Sequence, residues 1–171
     1  FTMGWPVEYK TNARVIYDPN AAPAEVQESE EEDPYILIED IQFPLYGEQY
    51  GRLYSEKSGL DCPVYWGDSY EIIRSGAGQY IGSCPPGFNR MLFICAHNIS
   101  HFKPLRDVEV GDVIEFDTNY CHYTYEVISK EINNEKILED WALEHILDDE
   151  ELLVLYTCWP FEAQATRTTD R

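Results

Sequence analysis

The sequence predicts a mainly β fold, a β-barrel with a few small helices. Short apolar or alternating stretches such as GRLYSE (51–56), CPVYWG (62–67) and DVIEFDT (112–118) are separated by Gly, Pro, Asn and Asp, which is typical of strands joined by turns. Aromatic residues make up 14% of the chain, with 13 tyrosines, and this composition also favours strands. A chain of 171 residues is long enough for one domain with its own core.

The other elements are predicted in chain order. Residues 1–34 contain four of the ten prolines and the acidic run EVQESEEED, which predicts a flexible, solvated arm. Residues 35–171 are predicted to form the barrel domain. Further strands are expected in YILIEDIQFPLYG, RMLFICAH, YTYEVIS and ELLVLYTCW, and helices in GDSYEIIRSG and EKILEDWALEHILDDEE.

The charge of the chain excludes some partners. The formal net charge is −20, so phosphate backbones would be repelled and nucleic-acid binding is not expected. No apolar run in the sequence reaches the roughly 18–20 residues that span a bilayer. The first residue is Phe1 rather than Met, which leads us to expect that the N-terminus has been cut away, and an export signal or anchor could have gone with it.

The five cysteines do not show the spacing of a metal site. They lie far apart with no C-x-x-C pair, so no metal ligand set is predicted. Their odd number leaves at least one thiol without a partner in the same chain. Most of them are expected to be small buried side chains.

Two apolar strands each end on a reactive side chain. RMLFICAHN is apolar until it reaches His97, and ELLVLYTCW is apolar until it reaches Cys158. Strand ends are rigid and can hold two groups within hydrogen-bond reach, and an imidazole beside a thiol stabilises the thiolate or carries its proton. A cysteine–histidine site is therefore one interpretation of these residues. A core histidine and a buried thiol are the other.

Two arginines follow Cys158 in a mostly polar tail, Arg167 and Arg171. A guanidinium near a thiolate lowers the pKa of the thiol and can donate hydrogen bonds to an oxyanion that forms on an attacked carbonyl. Two solvated surface arginines are the alternative.

Four segments, read in order, resemble a known family. GDSYEIIRSGAGQYIGS, FICAHNISHFKPLRDVEVGDVIEF, YTYEVIS and LYTCWPF are similar to the sortases, the membrane-anchored cysteine transpeptidases of Gram-positive bacteria. The TCWPF form is most like class D, whose usual pattern is Thr-Cys-Tyr-Pro-Phe. The likeness covers roughly residues 45–171. Ala96 stands where the family usually has glycine, and Trp159 where class D has tyrosine.

The resemblance implies an eight-stranded sortase-type barrel and a role for each matching residue. Cys158 would attack the carbonyl of the Thr–Gly bond in a sorting signal similar to Leu-Pro-x-Thr-Gly and form an acyl-thioester. His97 would be the acid and base that protonates the departing amine and activates the incoming one. Thr157 and Trp159 would bind substrate, and the backbone N–H after Cys158 would serve the oxyanion hole. His101, His122 and His145 match no catalytic position.

The arginine of the family has two candidates. Arg171, thirteen residues after Cys158, is favoured over Arg167, nine residues after it. If Arg171 holds this role, the strand expected after it is missing from this sequence, and a sheet edge is left unpaired.

The resemblance also implies partners and a location. The acyl donor would be the sorting signal of a secreted protein, and the acceptor would be an amine of a peptidoglycan precursor or a pilin. The enzyme would act at the extracytoplasmic face of the membrane of a Gram-positive bacterium, and would meet the membrane only through an N-terminal anchor absent from this chain.

Three other segments have more than one interpretation. The run Asp148–Glu151 could bind calcium, as in some sortases, but a solvated helix end is favoured and no cofactor is predicted. Asp33–Tyr35 resembles the lid of pilin-type sortases, although a plain turn is favoured. Apolar residues of the 129–150 connection could line a substrate groove or pack into the barrel core; they are Ile137, Trp141, Leu143 and Ile146.

Two other function classes stay open at this point. One is a different cell-wall Cys–His hydrolase, but the papain and NlpC types place Cys before His, whereas His97 precedes Cys158 here. The other is a non-catalytic acidic domain that uses the barrel for binding. In that case Cys158 would be no more reactive than a free thiol.

Overall fold

The structure is a computed structural model that describes residues 10–17 and 34–161. Ten strands and two α-helices lie in these ranges. They are β1 (Lys10–Thr11), β2 (Arg14–Ile16), β3 (Tyr35–Leu37), β4 (Gln49–Ser55), β5 (Leu60–Trp66), α1 (Tyr70–Ser75), β6 (Ala77–Gln79), β7 (Met91–Cys95), β8 (Val113–Thr118), β9 (Cys121–Glu126), α2 (Glu135–His145) and β10 (Leu152–Tyr156).

Eight of these strands form one sheet that curls into a nearly closed barrel. Its order is β1-β9-β8-β4-β5-β6-β7-β10, and β2 pairs with β3 in a separate two-stranded sheet. The β4–β5, β4–β8, β6–β7 and β8–β9 pairs are antiparallel, whereas β5–β6, β7–β10 and β1–β9 are parallel. The mainly β, barrel-type fold predicted from the sequence is confirmed.

The strands form because their side chains can alternate between core and solvent. On β8, Ile114, Phe116 and Thr118 are buried while the residues between them are more exposed, which is the period of a sheet with one face on the core. Strand β7 is different, because Met91–Ile94 are all buried. A continuous apolar strand of this kind lies in the interior of the sheet, here between β6 and β10.

Strand β6 was not predicted, and a buried polar side chain defines its place. Ala77–Gln79 are all buried, and Gln79 accepts a hydrogen bond from the Tyr50 hydroxyl through Oε1. Its Nε2 donates to the Cys84 carbonyl at 2.7 Å. Burial raises the pKa of Tyr50 well above its ordinary value, so the phenol stays neutral and remains a donor. Gln79 therefore joins β4, β6 and the loop that follows β6.

Both helices form where they are predicted, but α2 ends at His145 rather than continuing to Glu151. Helix α1 starts after Ser69 and ends at Gly76. Helix α2 starts after Asn134, whose Oδ1 accepts a hydrogen bond from the Ile137 N–H at 3.0 Å. Helix α2 has no buried residue. Of the two interpretations of its apolar side chains, packing into the barrel core is therefore wrong, since Ile137 and Leu143 are 49% and 74% exposed.

Residues 10–17 differ from the solvated arm that the sequence predicts. Strand β1 extends the main sheet beside β9, and β2 pairs with β3. Ala13 between them is fully buried, and its carbonyl accepts a hydrogen bond from the Tyr123 hydroxyl at 3.0 Å. This segment is thus part of the barrel wall. Residues 1–9 and 18–33, which hold the rest of the predicted arm and part of the DPY sequence, lie outside the described residues.

Neither helix in the described ranges has the length and apolar character needed to cross a membrane.

Glu151 joins three parts of the barrel at the point where β10 begins. Its Oε2 accepts hydrogen bonds from the backbone N–H groups of Gly87 at 2.7 Å and Asn89 at 3.3 Å. Its Oε1 accepts the hydroxyl of Tyr125, on β9, at 2.6 Å. Burial, and then the Glu151 charge, raise the pKa of Tyr125 well above its ordinary value, so this donor stays protonated.

We expect Glu151→Ala to lower the free energy of unfolding by about 2–4 kcal/mol, because three donors in a partly buried place lose their acceptor. Urea unfolding of the two proteins would measure the difference. Glu150→Ala is the matched control, since Glu150 is exposed, and it should change stability by less than about 0.5 kcal/mol. Equal losses in the two variants would show that the carboxylate does not hold β9, β10 and the 87–89 loop together.

Candidate active site

The candidate site lies at one end of the parallel strand pair β7–β10. The two strands are in register from Leu152 opposite Met91 to Tyr156 opposite Cys95, and the offset is 61 positions throughout. If the same offset is continued by two residues, Cys158 lies level with His97. Neighbouring strands lie about 4.8 Å apart, so a register continued in this way would bring the two predicted catalytic residues side by side.

Two side chains continue the connection after the backbone ladder ends. The Thr157 hydroxyl donates to the Ala96 carbonyl at 2.7 Å, immediately before the Cys158–His97 level. The Asn98 side-chain N–H donates to the Pro160 carbonyl at 2.8 Å, immediately after it. One bond comes from each loop and is accepted by the other. The two candidate catalytic residues are therefore held between two cross-links.

The site is open to solvent on one side. His97 and Cys158 are both half-buried, and the Trp159 side chain that follows is 38% exposed. Ala96 and Asn98, on either side of His97, are buried. The thiol and imidazole can thus meet a substrate, while the backbone that carries His97 is fixed in the protein.

The other cysteines have different environments. None of the five, all of which lie among the described residues, forms a disulfide bond within the chain. Cys62 is fully buried on β5, and burial raises its pKa to about 12, so it remains a protonated, unreactive thiol at neutral pH. Burial also raises the pKa of Cys84. Cys121 is buried on β9. Cys158 differs from Cys62 and Cys121 in being accessible.

Tyr70 contacts the imidazole of His97 and was not identified from the sequence. The two rings meet edge to face, with centroids 5.9 Å apart and an interplanar angle of 75°. Tyr70 is the first residue of α1, and the Arg74 guanidinium, one turn further, lies 5.8 Å from the Tyr70 ring centroid. Nothing in the local pattern of α1 indicates this contact, because it depends on how α1 packs against the end of β7.

The other three histidines are not aligned with Cys158 in the β7–β10 register. His122 lies between Asp117 and Glu115 on the outer face of β8 and β9, at 2.6 Å and 2.9 Å. His145 lies 2.8 Å from Asp148. His101 is half-buried in the turn region after β7.

The acidic run Asp148–Glu151 does not have the arrangement of a calcium site. Asp148 contacts His145, Asp149 forms an ion pair with Arg90 at 2.8 Å, and Glu151 turns inward to the donors described above. Calcium requires oxygen ligands that converge on one point, and these carboxylates are directed to separate partners. Among the described residues no group of His, Cys, Asp and Glu is arranged to hold a metal ion.

The predicted roles of four site residues stay predictions. Arg167 and Arg171, together with the predicted missing strand, fall outside the described residues. The Thr157 hydroxyl is already used in a hydrogen bond to Ala96, so its role in substrate binding stays a prediction. Trp159 packs against Phe161, with ring centroids 5.6 Å apart, and its role in substrate binding also stays a prediction.

Comparison with known proteins identifies the family. The sequence profile of the sortase domain matches residues 53–171. Sortase D of Bacillus subtilis (strain 168) is 27% identical over 118 residues, which make up 69% of this chain and 58% of that protein. The chain therefore spans less than two thirds of the length of this curated relative.

Solved sortase structures share the fold. The Clostridium perfringens sortase D5 transpeptidase superposes with a TM-score of 0.61 at 20% identity, covering 70% of this chain and 75% of that one. Sortase C1 of Group B Streptococcus pilus island 1 gives a TM-score of 0.60 at 26% identity, covering 67% and 59%. These likenesses confirm the predicted sortase-type barrel. Because the sortase profile matches more than half of the chain, the chain belongs to the sortase family of cysteine transpeptidases.

Proposed function

We propose that this chain is a sortase that cleaves a Leu-Pro-x-Thr-Gly-like sorting signal at its Thr–Gly bond and transfers the acyl group to an amine. The observation that supports the proposal is the register of β7 and β10, which runs to Tyr156 opposite Cys95 and, if continued by two residues, would bring Cys158 level with His97. A thiol beside an imidazole supplies the nucleophile and the base that acyl transfer through a thioester requires.

The first half of the reaction forms the acyl-enzyme. The Cys158 thiolate attacks the threonine carbonyl carbon, and the carbonyl oxygen becomes an oxyanion. The Trp159 backbone N–H, directly after the nucleophile, is the proposed donor to that oxyanion. When the intermediate collapses, the C–N bond breaks, and protonated His97 gives its proton to the departing glycine amine.

The second half of the reaction transfers the acyl group. His97, now neutral, takes a proton from the incoming amine as that amine attacks the thioester carbon. The C–S bond breaks, a new amide forms, and Cys158 returns as a thiolate beside protonated His97. The proton count is then restored, so the enzyme is ready for another cycle.

The donor and acceptor proteins follow from the family. Sortases in general act on proteins that carry sorting signals and on pilins at the surface of Gram-positive bacteria. We propose that the donor here is the sorting signal of a secreted protein, that the acceptor is a peptidoglycan-precursor or pilin amine, and that the site faces the outside of the membrane. Neither step of the reaction requires a cofactor.

A peptide screen tests this function directly. Pentapeptides of the Leu-Pro-x-Thr-Gly type would be mixed with the protein, quenched with acid, and analysed by intact mass and peptide mapping. We expect an acyl adduct on Cys158 that hydroxylamine releases, as it does a thioester. Addition of triglycine should convert the adduct to a ligated peptide. If every amine tested leaves only the hydrolysed peptide acid, a Cys–His hydrolase is favoured. If no peptide forms an adduct, a binding domain is favoured.

The two arginine candidates give unequal expected losses. We expect Arg171→Ala to lower kcat by on the order of 10²–10³-fold, because it removes a donor to the oxyanion. Arg167→Ala should change kcat less than about threefold, as expected of a residue that takes no part in the reaction. The turnover assay on the peptide found by the screen would measure both. A severe loss in Arg167→Ala with normal turnover in Arg171→Ala would reverse the assignment.

A further inference from the structure

We propose that Asn98 is a positioning residue for the reaction, because its side chain fixes the segment from Cys158 to Pro160 against the loop that carries His97. The inference rests on the proposed function, in which Cys158 is the nucleophile and His97 the acid and base. It adds a residue that the sequence pattern did not single out.

The bond itself is short, its donor side chain is buried, and it is placed after the nucleophile. The Asn98 Nδ2 donates to the Pro160 carbonyl at 2.8 Å, and Asn98 is 3% exposed. Water has little access to replace a partner at such a position. The bond therefore restrains Pro160 much more than an exposed hydrogen bond would.

The segment after Cys158 lies beyond the end of the backbone ladder. The backbone ladder between β7 and β10 ends at Tyr156 opposite Cys95. Pro160 has no N–H and can take part in backbone hydrogen bonding only through its carbonyl. That carbonyl is the group that Asn98 holds. The bond thus connects the two segments just beyond Cys158 and His97, where the backbone hydrogen bonds between β7 and β10 have ended.

Restraint at Pro160 affects three reacting groups together. Trp159, whose N–H is the proposed oxyanion donor, lies between Cys158 and Pro160. Asn98 is directly bonded along the chain to His97. A shift of Pro160 by about 1 Å would alter the thiol, the oxyanion donor and the imidazole relative to one another, and displacements of this size cost on the order of 10²-fold in rate.

The competing explanation is that the Asn98–Pro160 bond stabilises the fold without affecting catalysis. The chain offers a matched control for this explanation. Asn119 makes the same kind of bond, from its Nδ2 to the Gln42 carbonyl, also at 2.8 Å. It lies in the turn between β8 and β9, and its backbone N–H donates a hydrogen bond to the Tyr50 carbonyl. Asn119 is not part of the proposed catalytic machinery.

The experiment compares Asn98→Ala and Asn98→Asp with Asn119→Ala and Asn119→Asp. Thermal unfolding establishes that each variant is folded. The readouts are kcat and KM on the peptide from the screen, and the pH profile of iodoacetamide alkylation at Cys158, followed by peptide mapping. Asn98→Asp keeps the shape of the side chain, so it serves if Asn98→Ala does not fold.

We expect both Asn98 variants to lower kcat by about 10–100-fold with KM within about twofold, since the geometry of the reacting groups changes more than substrate binding. The Asn98→Asp charge should also move the alkylation profile to higher pH, because a carboxylate nearby disfavours the thiolate. In a His97→Ala background, Asn98→Ala should change the alkylation rate less than about twofold, since positioning acts through His97. The Asn119 variants should keep the normal kcat and profile.

The proposal is overturned if the Asn98 variants lose only thermal stability, like the Asn119 variants. It is also overturned if Asn98→Ala lowers the alkylation rate by the same factor with and without His97. That result would leave the proposed function intact provided that Cys158 and His97 are still required. If Cys158→Ala retains full thioester formation or turnover, the proposed function itself has failed, and the two failures are therefore distinguishable.

Discussion

Replacing Cys158 with alanine is expected to abolish acyl transfer, with a fall in kcat of at least about 10⁵-fold. The reason is that the proposed acyl intermediate forms on the Cys158 thiol, so without this thiol the thioester cannot form. The turnover assay and the intact-mass assay should fail together, since both depend on the thioester.

Cys84→Ala is the control for this prediction. Cys84 is half-buried and burial raises the pKa of its thiol, so it should not take over the reaction, and its loss should leave kcat within about twofold. Peptide mapping of the acylated wild-type protein would identify the modified cysteine. An adduct on Cys84 or Cys95 would show that Cys158 is not the nucleophile.

His97→Ala is expected to lose nearly as much turnover as Cys158→Ala. Without the imidazole, the leaving amine is not protonated and the incoming amine is not deprotonated, so both halves of the reaction slow. Because residues that act as a unit give non-additive losses, the Cys158→Ala/His97→Ala double variant should be no slower than Cys158→Ala alone. The kcat of the three variants on one peptide measures this.

His145→Ala is the matched control for the histidine. Its imidazole contacts Asp148 at the exposed end of α2, outside the β7–β10 site, so its loss should leave kcat within about twofold. If His97→Ala keeps more than about a tenth of the wild-type kcat while loss of His101 or His122 is severe, the acid and base has been assigned to the wrong histidine.

The sequence predicted individual strands and helices better than it predicted which of them pair or pack together. Strands β4, β5 and β8 have a period-two pattern, and α1 and α2 have capping residues, so each can be identified from its own residues. Strand β6 has only three residues, one of them Gly78, and leaves no periodic signal. Residues 14–16 were missed because the acidic, proline-containing composition around them outweighed a three-residue apolar segment.

The candidate site divides in the same way. His97 and Cys158 could be predicted because each ends an apolar strand and matches a family motif. That these strands are parallel neighbours could not be predicted from the pattern of either one, since pairing depends on the whole sheet. Tyr70 and Asn98 were missed for this reason, because their contacts join segments that meet only after folding.

The constant offset of 61 positions between β7 and β10 has a consequence for folding kinetics. Strand β10 cannot pair until the intervening chain, which includes the β8–β9 hairpin and α2, has been synthesised and the large loop has closed. Local hairpins form in microseconds, whereas pairings of this sequence separation are slow. We therefore expect a newly made chain to keep Cys158, the proposed nucleophile, apart from His97, the proposed acid and base, until β10 has joined the sheet.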